Sequence, residues 1–324
     1  MTDDDSTTGT MRAVRFHDYG EPAAVLHLET IEVPTPGPGR IRIAVDACGL
    51  TPADWALCRG LFPGQLPRGI GTEVSGTVNA IGDGVTNVTV GEAVFGTADW
   101  ANCPSAGAAD QAIMDNWTPV PDGLDLNQAA ALPMALETAH RSLDQLELSP
   151  DQTILIHGGG TTIGYAAVQI ARHRGARVIT TAGDTYAPQL RDLGAIVTPY
   201  GDGMVGRVTT MSSGPVDLVL DTAPVGGVLP DLIQIAGGDP KRVLTISHFE
   251  EAEPLGVRDS FHEDDQDMRF HVFGEFAQLA AEGKFTIPIA QTFGLDDWRT
   301  ALEISISGHA RGKLLLLPNP DTDS

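Results

Sequence analysis

Apolar and polar positions divide the chain into two parts with different spacing. Up to Pro121, short runs in which apolar and polar residues alternate are separated by Gly and Pro, as between Pro34 and Gly39. Short, closely spaced strands broken by turn residues are typical of a β-rich, barrel-like domain. The strands predicted in this part cover residues 11–16, 40–45, 73–78 and 92–95.

After Pro121 the spacing changes, and apolar runs of strand length alternate with stretches of helical periodicity. Alternating β and α elements of this length predict a doubly wound parallel sheet. Strand character returns near the end, at 285–289 and 313–317, on either side of a helix over 296–306. Before that, strands are predicted over 154–156, 178–181, 216–221 and 242–246, and helices over 127–132, 133–146, 165–174, 188–193, 227–235 and 270–282.

The change in spacing predicts an α/β protein with two domains. The chain length supports this division, because 324 residues exceed the roughly 100–200 residues of a usual domain. We predict that residues 11–124 and 285–324 form the β-rich domain and that residues 125–284 form the parallel-sheet domain. The polar residues 1–10 are expected to be a disordered tail.

A glycine-rich turn follows the first strand of the parallel-sheet domain and leads directly into a helix. Such a turn lets the backbone approach a pyrophosphate, and the N-terminus of the helix favours negative charge. The usual G-x-G-x-x-G spacing is shifted by one residue, because Ile163 precedes the last glycine. A turn that binds nothing is the alternative, but the flanking strand and helix favour a dinucleotide site. The predicted loop residues are Gly158, Gly159, Gly160, Thr161, Thr162, Ile163 and Gly164.

Composition and charge exclude several other classes of protein. Hydrophobic residues make up 42% of the chain and charged residues 19%, which is typical of a folded, globular protein. No apolar run reaches the ~20 residues that span a bilayer, and the acidic first residues do not resemble a secretory signal. A net charge of −23 makes nucleic acid an unfavourable partner. We therefore predict a cytoplasmic protein that binds neither membrane nor nucleic acid and acts on a small molecule.

Five short segments occur in an order that resembles the medium-chain dehydrogenase/reductase superfamily. The resemblance is strongest to its zinc-free branch of quinone oxidoreductase-like enzymes and extends from Met11 to Pro318. It implies a Rossmann-type cofactor domain and a GroES-like barrel domain, with the substrate in a cleft between them. The segments are 48–55 (C-G-L-T-P-A-D-W), 71–78 (G-T-E-V-S-G-T-V), 91–96 (G-E-A-V-F-G), 132–139 (L-P-M-A-L-E-T-A) and 310–313 (A-R-G-K).

The resemblance also implies where zinc would be held in related enzymes. Zinc-dependent relatives carry Cys where this chain has Thr51 and His where it has Thr72. A hydroxyl is a poor ligand for zinc, which prefers thiolate and imidazole. Glu73 alone does not hold the ion, and both a catalytic role and a structural role in the barrel are compatible with it. No metal site is therefore expected, and the three cysteines are expected to be free thiols.

Cofactor residues outside the glycine loop follow from the same resemblance. Relatives usually carry a lysine near Tyr186 as a partner of the 2′-phosphate, and Asp184 would repel that phosphate. Tyr200 matches a tyrosine that lies against the adenosine phosphate, so NADPH is expected, with NADH as the alternative. His248 is expected near the nicotinamide, and filling a loop is the alternative role for it. The full set adds Thr138, Gly183, Asp184, Tyr186, Tyr200, Ser247, His248 and Lys313.

The resemblance implies a zinc-independent reductase that transfers hydride from NAD(P)H to a quinone, an enone or a similar conjugated carbonyl. Thr51 is expected to orient the carbonyl oxygen, Trp55 to form a wall of the pocket, and Glu73 is the third catalytic candidate. Relatives are commonly homodimers that pair edge strands, so a contact is predicted near residues 242–246 or the segment after them. A different class stays open, namely a protein of this fold without redox activity that acts as a cyclase or isomerase or only binds a ligand.

Overall fold

The structure, a computed structural model, describes residues 9–308 and 310–319 of the chain. The described residues form two compact units, which we call the β-rich unit and the parallel-sheet unit. The β-rich unit contains the residues up to Pro133, Phe273–Lys284 and the residues from Ile289 onward. The parallel-sheet unit contains Met134–Val272 and Phe285–Pro288.

Strands occur along the whole described chain. The tail predicted over residues 1–10 lies outside the described residues as far as residue 8, and the first strand already begins at Thr10. In chain order the strands are β1 Thr10–Phe16, β2 Leu26–Glu32, β3 Ile41–Leu50, β4 Arg68–Gly69, β5 Glu73–Ile81, β6 Ala93–Ala98, β7 Gln111–Pro119, β8 Thr153–His157, β9 Arg177–Thr181, β10 Ile196–Thr198, β11 Leu218–Asp221, β12 Val243–Thr245, β13 Arg258–Asp259, β14 Ile289–Gly294 and β15 Lys313–Leu317.

The helices are short, and none in the described part of the chain is long and apolar enough to cross a membrane. Asp125 shows how one of them begins, because its side chain accepts a hydrogen bond from the backbone N–H of Gln128 at 2.9 Å and so caps the helix. The helices are α1 Pro22–Val25, α2 Pro52–Cys58, α3 Leu126–Ala131, α4 Pro133–Gln145, α5 Thr162–His173, α6 Ala187–Asp192, α7 Met204–Ser212, α8 Leu229–Ile235, α9 Phe249–Leu255, α10 Phe273–Ala281 and α11 Trp298–Ile306.

Strand pairing closes the β-rich unit into a barrel. Six strands pair in the order β14-β15-β3-β5-β6-β7, and β3 also pairs with β7. The remaining strands of the unit form a small sheet in the order β2-β1-β4. Val45 of β3, Val74 of β5 and Trp55 belong to the apolar core of the unit. Gly76 permits a close approach of β5 to β3, because a Cβ there would lie 2.0 Å from the carbonyl oxygen of Ala44.

The second unit is built on one parallel sheet with the strand order β10-β9-β8-β11-β12-β13. From β8 the chain proceeds outward through β9 to β10, and from β11 it proceeds the opposite way through β12 to β13. The winding therefore reverses between β8 and β11. Ligands of such sheets bind at the carboxyl ends of the strands beside this point. The predicted doubly wound parallel sheet is confirmed, and it brings the loops after β8, β9, β11 and β12 to one edge.

Helix α3 was predicted to lie in the parallel-sheet domain but packs in the β-rich unit. Ala130 of this helix forms an apolar cluster with Ala47 and Leu315. The hydroxyl of Ser75 donates a hydrogen bond to the carbonyl oxygen of Leu126 at 2.7 Å. The border between the units therefore falls after residue 133 rather than after 124, because helical spacing identifies a helix but not the sheet that it covers.

Residues 285–289 were predicted as a strand, but only Ile289 lies in one. The preceding residues pack on α5, where the backbone N–H of Thr286 donates to Oε1 of Gln169 at 3.1 Å and its carbonyl oxygen accepts from Nε2 at 2.8 Å. A glutamine side chain here supplies the hydrogen bonds that a neighbouring strand would otherwise provide. The structure also contains elements that the spacing did not predict, including β2, β7, β10 and α7.

Candidate functional site

The glycine loop joins β8 to α5 and is held together by its own threonine. Thr161 is the N-cap of α5, and its hydroxyl oxygen accepts a hydrogen bond from the backbone N–H of Gly164 at 3.0 Å. The same hydroxyl donates to the carbonyl oxygen of Gly158 at 2.9 Å. The Thr161 hydroxyl is thus used to begin the helix and to close the turn.

Glycine is required at several positions of this loop for reasons of packing alone. A Cβ at Gly159 would lie 2.1 Å from the hydroxyl oxygen of Thr180, and a Cβ at Gly164 would lie 2.2 Å from the carbonyl oxygen of Gly158. Gly160 differs, because the nearest atom to a Cβ there would be an aromatic carbon at 3.8 Å. The fold therefore accepts a side chain at Gly160 but not at Gly159 or Gly164.

Three backbone amides of the loop have no partner among the described residues. They belong to Gly160, Thr162 and Ile163, which lie at the N-terminal end of α5. Free N–H groups and the positive end of the helix dipole make a helix start favourable for an anion. The loop, predicted from the sequence as a dinucleotide site, therefore has free donors that fit a pyrophosphate.

The residues predicted for the adenosine side lie after β9 and, for Tyr200, after β10, next to the glycine loop. Tyr200 is 63% exposed, and a Cβ at Gly183 would lie 3.9 Å from its hydroxyl oxygen. Tyr186 precedes α6 and forms an edge-to-face ring pair with Tyr165 of α5, with the centroids 5.7 Å apart. Asp184 lies exposed in the same loop. The structure thus brings these predicted residues to one side of the glycine loop.

The loops after β11 and β12 lie on the other side of the switch point and are joined by a buried carboxylate. Oδ2 of Asp221 accepts hydrogen bonds from the hydroxyl of Thr245 and from Nδ1 of His248, each at 2.8 Å. The hydrogen bond between His248 and Asp221 is the main reason that the pKa of His248 is raised above its usual value. A pocket of about 290 Å³ is lined by Ser247, His248, Phe249, Glu250 and Glu251.

Asp221 is a residue of this site that was not predicted from the sequence. The signal was present, because a run of buried apolar residues, Leu218 to Leu220, ends at this acidic residue. An acidic side chain at the carboxyl end of a parallel strand beside the switch point is in the position where ligands or their binding residues are expected. Asp221 is completely buried, and its role depends on the residues that donate to it.

His157, at the end of β8, is the second imidazole at this edge. Its Nδ1 lies 2.8 Å from the hydroxyl oxygen of Thr181, and that oxygen also accepts a hydrogen bond from the backbone N–H of Gly158 at 3.0 Å. Burial lowers the pKa of His157, and the neighbouring His248 lowers it further against the opposing effect of Asp221. His157 is therefore a neutral side chain that packs beneath the loop.

Two of the predicted catalytic residues have structural contacts within the β-rich unit. The hydroxyl of Thr51 donates to Oδ2 of Asp54 at 3.0 Å, and its backbone N–H donates to the same oxygen at 2.7 Å. Trp55 is only 2% exposed, and its Nε1 donates to the hydroxyl of Ser305 at 2.7 Å. Thr51 thus forms the N-cap of α2, and Trp55 contributes to the core rather than to an open pocket wall.

Asp54, which follows Thr51 in the first of the family-like segments, accepts hydrogen bonds from two separate segments of the β-rich unit. Its second oxygen, Oδ1, accepts a hydrogen bond from the backbone N–H of Gly71 at 2.8 Å. Burial raises the pKa of Asp54 to about 6, although the hydrogen bonds from Thr51 and Gly71 favour its charged form. The carboxylate therefore ties the start of α2 to the turn before β5.

Glu73 and Lys313 form a buried ion pair in the β-rich unit. The side chain of Glu73 is completely buried and that of Lys313 is 2% exposed, and Nζ of the lysine donates to Oε1 of the glutamate. The pair links the beginnings of β5 and β15. Lys313 was expected at the cofactor and Glu73 among the catalytic residues, and the contact shows that their side chains are bound to each other.

Thr138, another residue expected at the cofactor, lies on α4 and is 8% exposed. Its hydroxyl donates to Oε2 of Glu137 at 3.4 Å. Glu137 in turn accepts a hydrogen bond from Nε of Arg141 at 2.7 Å, one helical turn further on. Thr138 thus belongs to a buried polar cluster of the parallel-sheet unit.

The side chains at the positions where zinc-dependent relatives carry their ligands do not fit a zinc ion. The Thr51 hydroxyl is bound to Asp54, and the Thr72 hydroxyl is buried without a hydrogen-bond partner. Glu73 is paired with an ammonium group. Within residues 9–308 and 310–319, no three His, Cys, Asp or Glu side chains are grouped so that they could hold a metal. The donor set lacks the thiolate and imidazole groups that zinc prefers.

Two family models match the sequence in the regions just described. The alcohol dehydrogenase GroES-like domain matches residues 37–123, and the zinc-binding dehydrogenase family matches residues 193–316. The first match covers most of the barrel strands and the second covers the later strands of the parallel sheet.

Known proteins are similar to the chain in sequence and in structure. The quinone oxidoreductase of Rattus norvegicus is 34% identical over 185 residues, which are 56% of this chain and 55% of that protein. A mycocerosic acid synthase-like polyketide synthase of Mycolicibacterium smegmatis is 31% identical over 325 residues, 92% of this chain but 15% of that protein. The match thus spans about half of the rat protein and a small part of the synthase.

A solved structure extends the likeness over nearly the whole chain. The quinone oxidoreductase from Coxiella burnetii aligns with a TM-score of 0.79 at 28% identity, covering 95% of this chain and 99% of that one. The chain belongs to the medium-chain dehydrogenase/reductase superfamily and is one of its quinone oxidoreductase-like members. The predicted family and the predicted combination of a Rossmann-like sheet with a GroES-like domain are confirmed.

Replacing Lys313 tests whether its role is structural. In Lys313→Met the buried carboxylate of Glu73 loses this ammonium group, and we expect the free energy of unfolding in urea to fall by about 3–5 kcal/mol. The double variant Glu73→Gln/Lys313→Met should recover part of this loss. Lys241→Met, at an exposed lysine, is the matched control and should leave stability unchanged. Weaker dinucleotide binding with unchanged stability would contradict the structural role.

Proposed function

We propose that the chain is an oxidoreductase that uses NAD(P)H to reduce a quinone, an enone or a similar conjugated carbonyl without zinc. The observation that carries the proposal is the set of free amides at Gly160, Thr162 and Ile163, beside the switch point of the parallel sheet. The relatives from Rattus norvegicus and Coxiella burnetii, both named quinone oxidoreductases, support the substrate class.

In the proposed complex, different residues around the glycine loop bind different parts of the dinucleotide. The three amides hold the pyrophosphate, the exposed ring of Tyr200 faces the adenosine side, and Ser247 and His248 face the nicotinamide side. When bound, the nicotinamide supplies the hydride that reduces the substrate. We propose NADPH as the preferred cofactor because of Tyr200. The charge of Asp184 opposes a 2′-phosphate, so a comparison of the affinities of NADPH and NADH tests this preference.

Catalysis in this proposal rests on the positions of the reacting groups rather than on a metal or a covalent intermediate. Thr51 keeps its hydroxyl hydrogen on Asp54, so it is not assigned the donation of a hydrogen bond to the substrate. The carboxylate of Glu73 is engaged by Lys313. The residues of the parallel-sheet unit that orient the dinucleotide therefore carry the activity in the proposed mechanism.

The first test of the proposal concerns the loop glycine that the fold does not require. In Gly160→Val a branched side chain occupies the place of the pyrophosphate, so NADPH and NADH should no longer bind, while the thermal unfolding midpoint stays close to that of the wild type. Gly206→Val is the matched control, because a Cβ at Gly206 meets nothing within 4 Å and one at Gly160 meets only an ordinary contact at 3.8 Å. Cofactor fluorescence and turnover with 1,4-benzoquinone are the measurements.

The outcomes of this test separate the proposed reductase from its alternative. A folded Gly160→Val protein that still binds the dinucleotide would contradict the assignment of the pyrophosphate site. Wild-type protein that binds neither dinucleotide would favour a protein of this fold without redox activity.

A second test concerns zinc. Because Thr51 and Thr72 replace the Cys and His of zinc-dependent relatives and Glu73 is paired with Lys313, we expect no stoichiometric zinc by elemental analysis of the purified protein. Incubation with a strong chelator, followed by its removal, should leave turnover unchanged. Tightly held zinc, together with chelator-sensitive activity, would contradict the zinc-independent mechanism.

We also propose a homodimer that pairs the open edge of the parallel sheet. Strand β12 lies inside the sheet, and the following strand, β13, forms its edge, where unpaired backbone groups favour addition of another strand. The side chains of Leu255 and Phe261 near this edge are 38% and 42% exposed. Light scattering at micromolar concentration should give the mass of a dimer, and Arg258→Pro should weaken it, whereas a monomeric wild type would contradict the proposal.

A further inference from the structure

The pair of Asp221 and His248 differs from an ordinary surface ion pair in its burial. Asp221 is completely buried and the side chain of His248 is 8% exposed, and their contact is 2.8 Å long. The hydroxyl of Thr245 and the backbone N–H of Ala223 also donate to Asp221, at 2.8 and 3.2 Å. The carboxylate is therefore fully engaged, and the imidazole ring is held in one orientation.

This arrangement determines which nitrogen of His248 is available to a ligand. A carboxylate accepts hydrogen bonds only, so the hydrogen of the neutral ring lies on Nδ1, and protonation adds a hydrogen at Nε2. Nε2 is buried and makes no hydrogen bond of normal geometry with a described residue, although the carbonyl of Pro224 also favours the charged ring. The charged form thus carries a donor whose neighbouring acceptor, the carbonyl oxygen of Pro224, is not in normal hydrogen-bond geometry.

The charged groups around His248 come from three elements. Asp221 at the end of β11 raises its pKa most, and Glu251 on α9 acts in the same direction. His157 at the end of β8 is held neutral by burial. Glu251 is also fixed in place, because its Oε2 accepts a hydrogen bond from the backbone N–H of Gly227 at 2.9 Å. The surroundings therefore favour one positive charge, on His248, at the wall of the pocket formed by residues 247–251.

We infer that His248, oriented by Asp221, donates a hydrogen bond from Nε2 to an oxygen in the nicotinamide half of a bound dinucleotide. This inference rests on the proposed function, because it assigns a residue of the same cofactor site. A ligand oxygen would give the Nε2 donor a hydrogen-bond partner of normal geometry, so the protonated ring favours binding. The affinity for the dinucleotide should therefore be highest at low pH and decrease as the pH rises through the pKa of His248.

The experiment measures the dissociation constants of NADH and NADPH by cofactor fluorescence between pH 6 and pH 9. NADH is the decisive probe, because it lacks the 2′-phosphate, which titrates near pH 6. For the wild type we expect affinity to fall roughly tenfold across this range, as for the loss of a hydrogen bond to a charged donor. His248→Gln, whose amide does not titrate, should bind with the same affinity at every pH, near the wild-type value at pH 9.

The matched control is His262, which forms a similar pair with Asp259 at 2.9 Å but has a side chain that is 80% exposed. His262→Gln should keep the wild-type pH dependence. If His248→Gln does not fold, an NMR titration of the wild type replaces it, because a ligand that prefers the protonated ring must raise the pKa of His248 on binding.

The outcomes distinguish this inference from the proposed function. Binding that is independent of pH in the wild type, a pH dependence that survives in His248→Gln, or a His248 pKa unchanged by NADH would overturn the inference and leave the proposed function intact. Wild-type protein that binds neither dinucleotide at any pH would overturn both.

Discussion

The carbonyl oxygen of Gly158 is the acceptor on which the arrangement of the candidate site depends. It accepts a hydrogen bond from the backbone N–H of Thr161 at 2.9 Å and lies within 2.9 to 3.0 Å of the hydroxyls of Thr161 and Thr222. Gly164 passes so close to it that no Cβ is tolerated there. One oxygen thus fixes the start of α5 relative to the loop after β11, and the free amides of the glycine loop are placed by this contact.

The threonines of the loop can be understood from the same contact. Thr161 turns its hydroxyl towards Gly158 and Gly164. A threonine at an N-cap stabilises the first turn of a helix, whereas glycine offers no side-chain acceptor. Thr161 therefore strengthens the helix start while the amides of Gly160, Thr162 and Ile163 stay available.

The sequence predicted the parts of the fold that leave a strong periodic signal. Strand β8 and helix α5 were evident because fully apolar and amphipathic stretches flank the glycines. Strand β2 was not, since Leu26–Glu32 carries several acidic or polar residues and only Leu26 is buried. The contacts of Thr51 and Lys313 were not predicted either, because their partners Asp54 and Glu73 are known only once the chain is folded.

The buried carboxylates show why only part of the site was predictable. Asp54 and Glu73 receive all of their described donors from the protein, so their charge serves the packing of the β-rich unit. Asp221 has three described donors, as Asp54 does, but one of them is an imidazole whose second nitrogen has no partner of normal geometry among the described residues. These carboxylates are all buried, and they differ in the donors that surround them. Sequence spacing carries no information on these donors. The contact between His248 and Asp221 forms only when β11 and β12 lie side by side in the folded sheet.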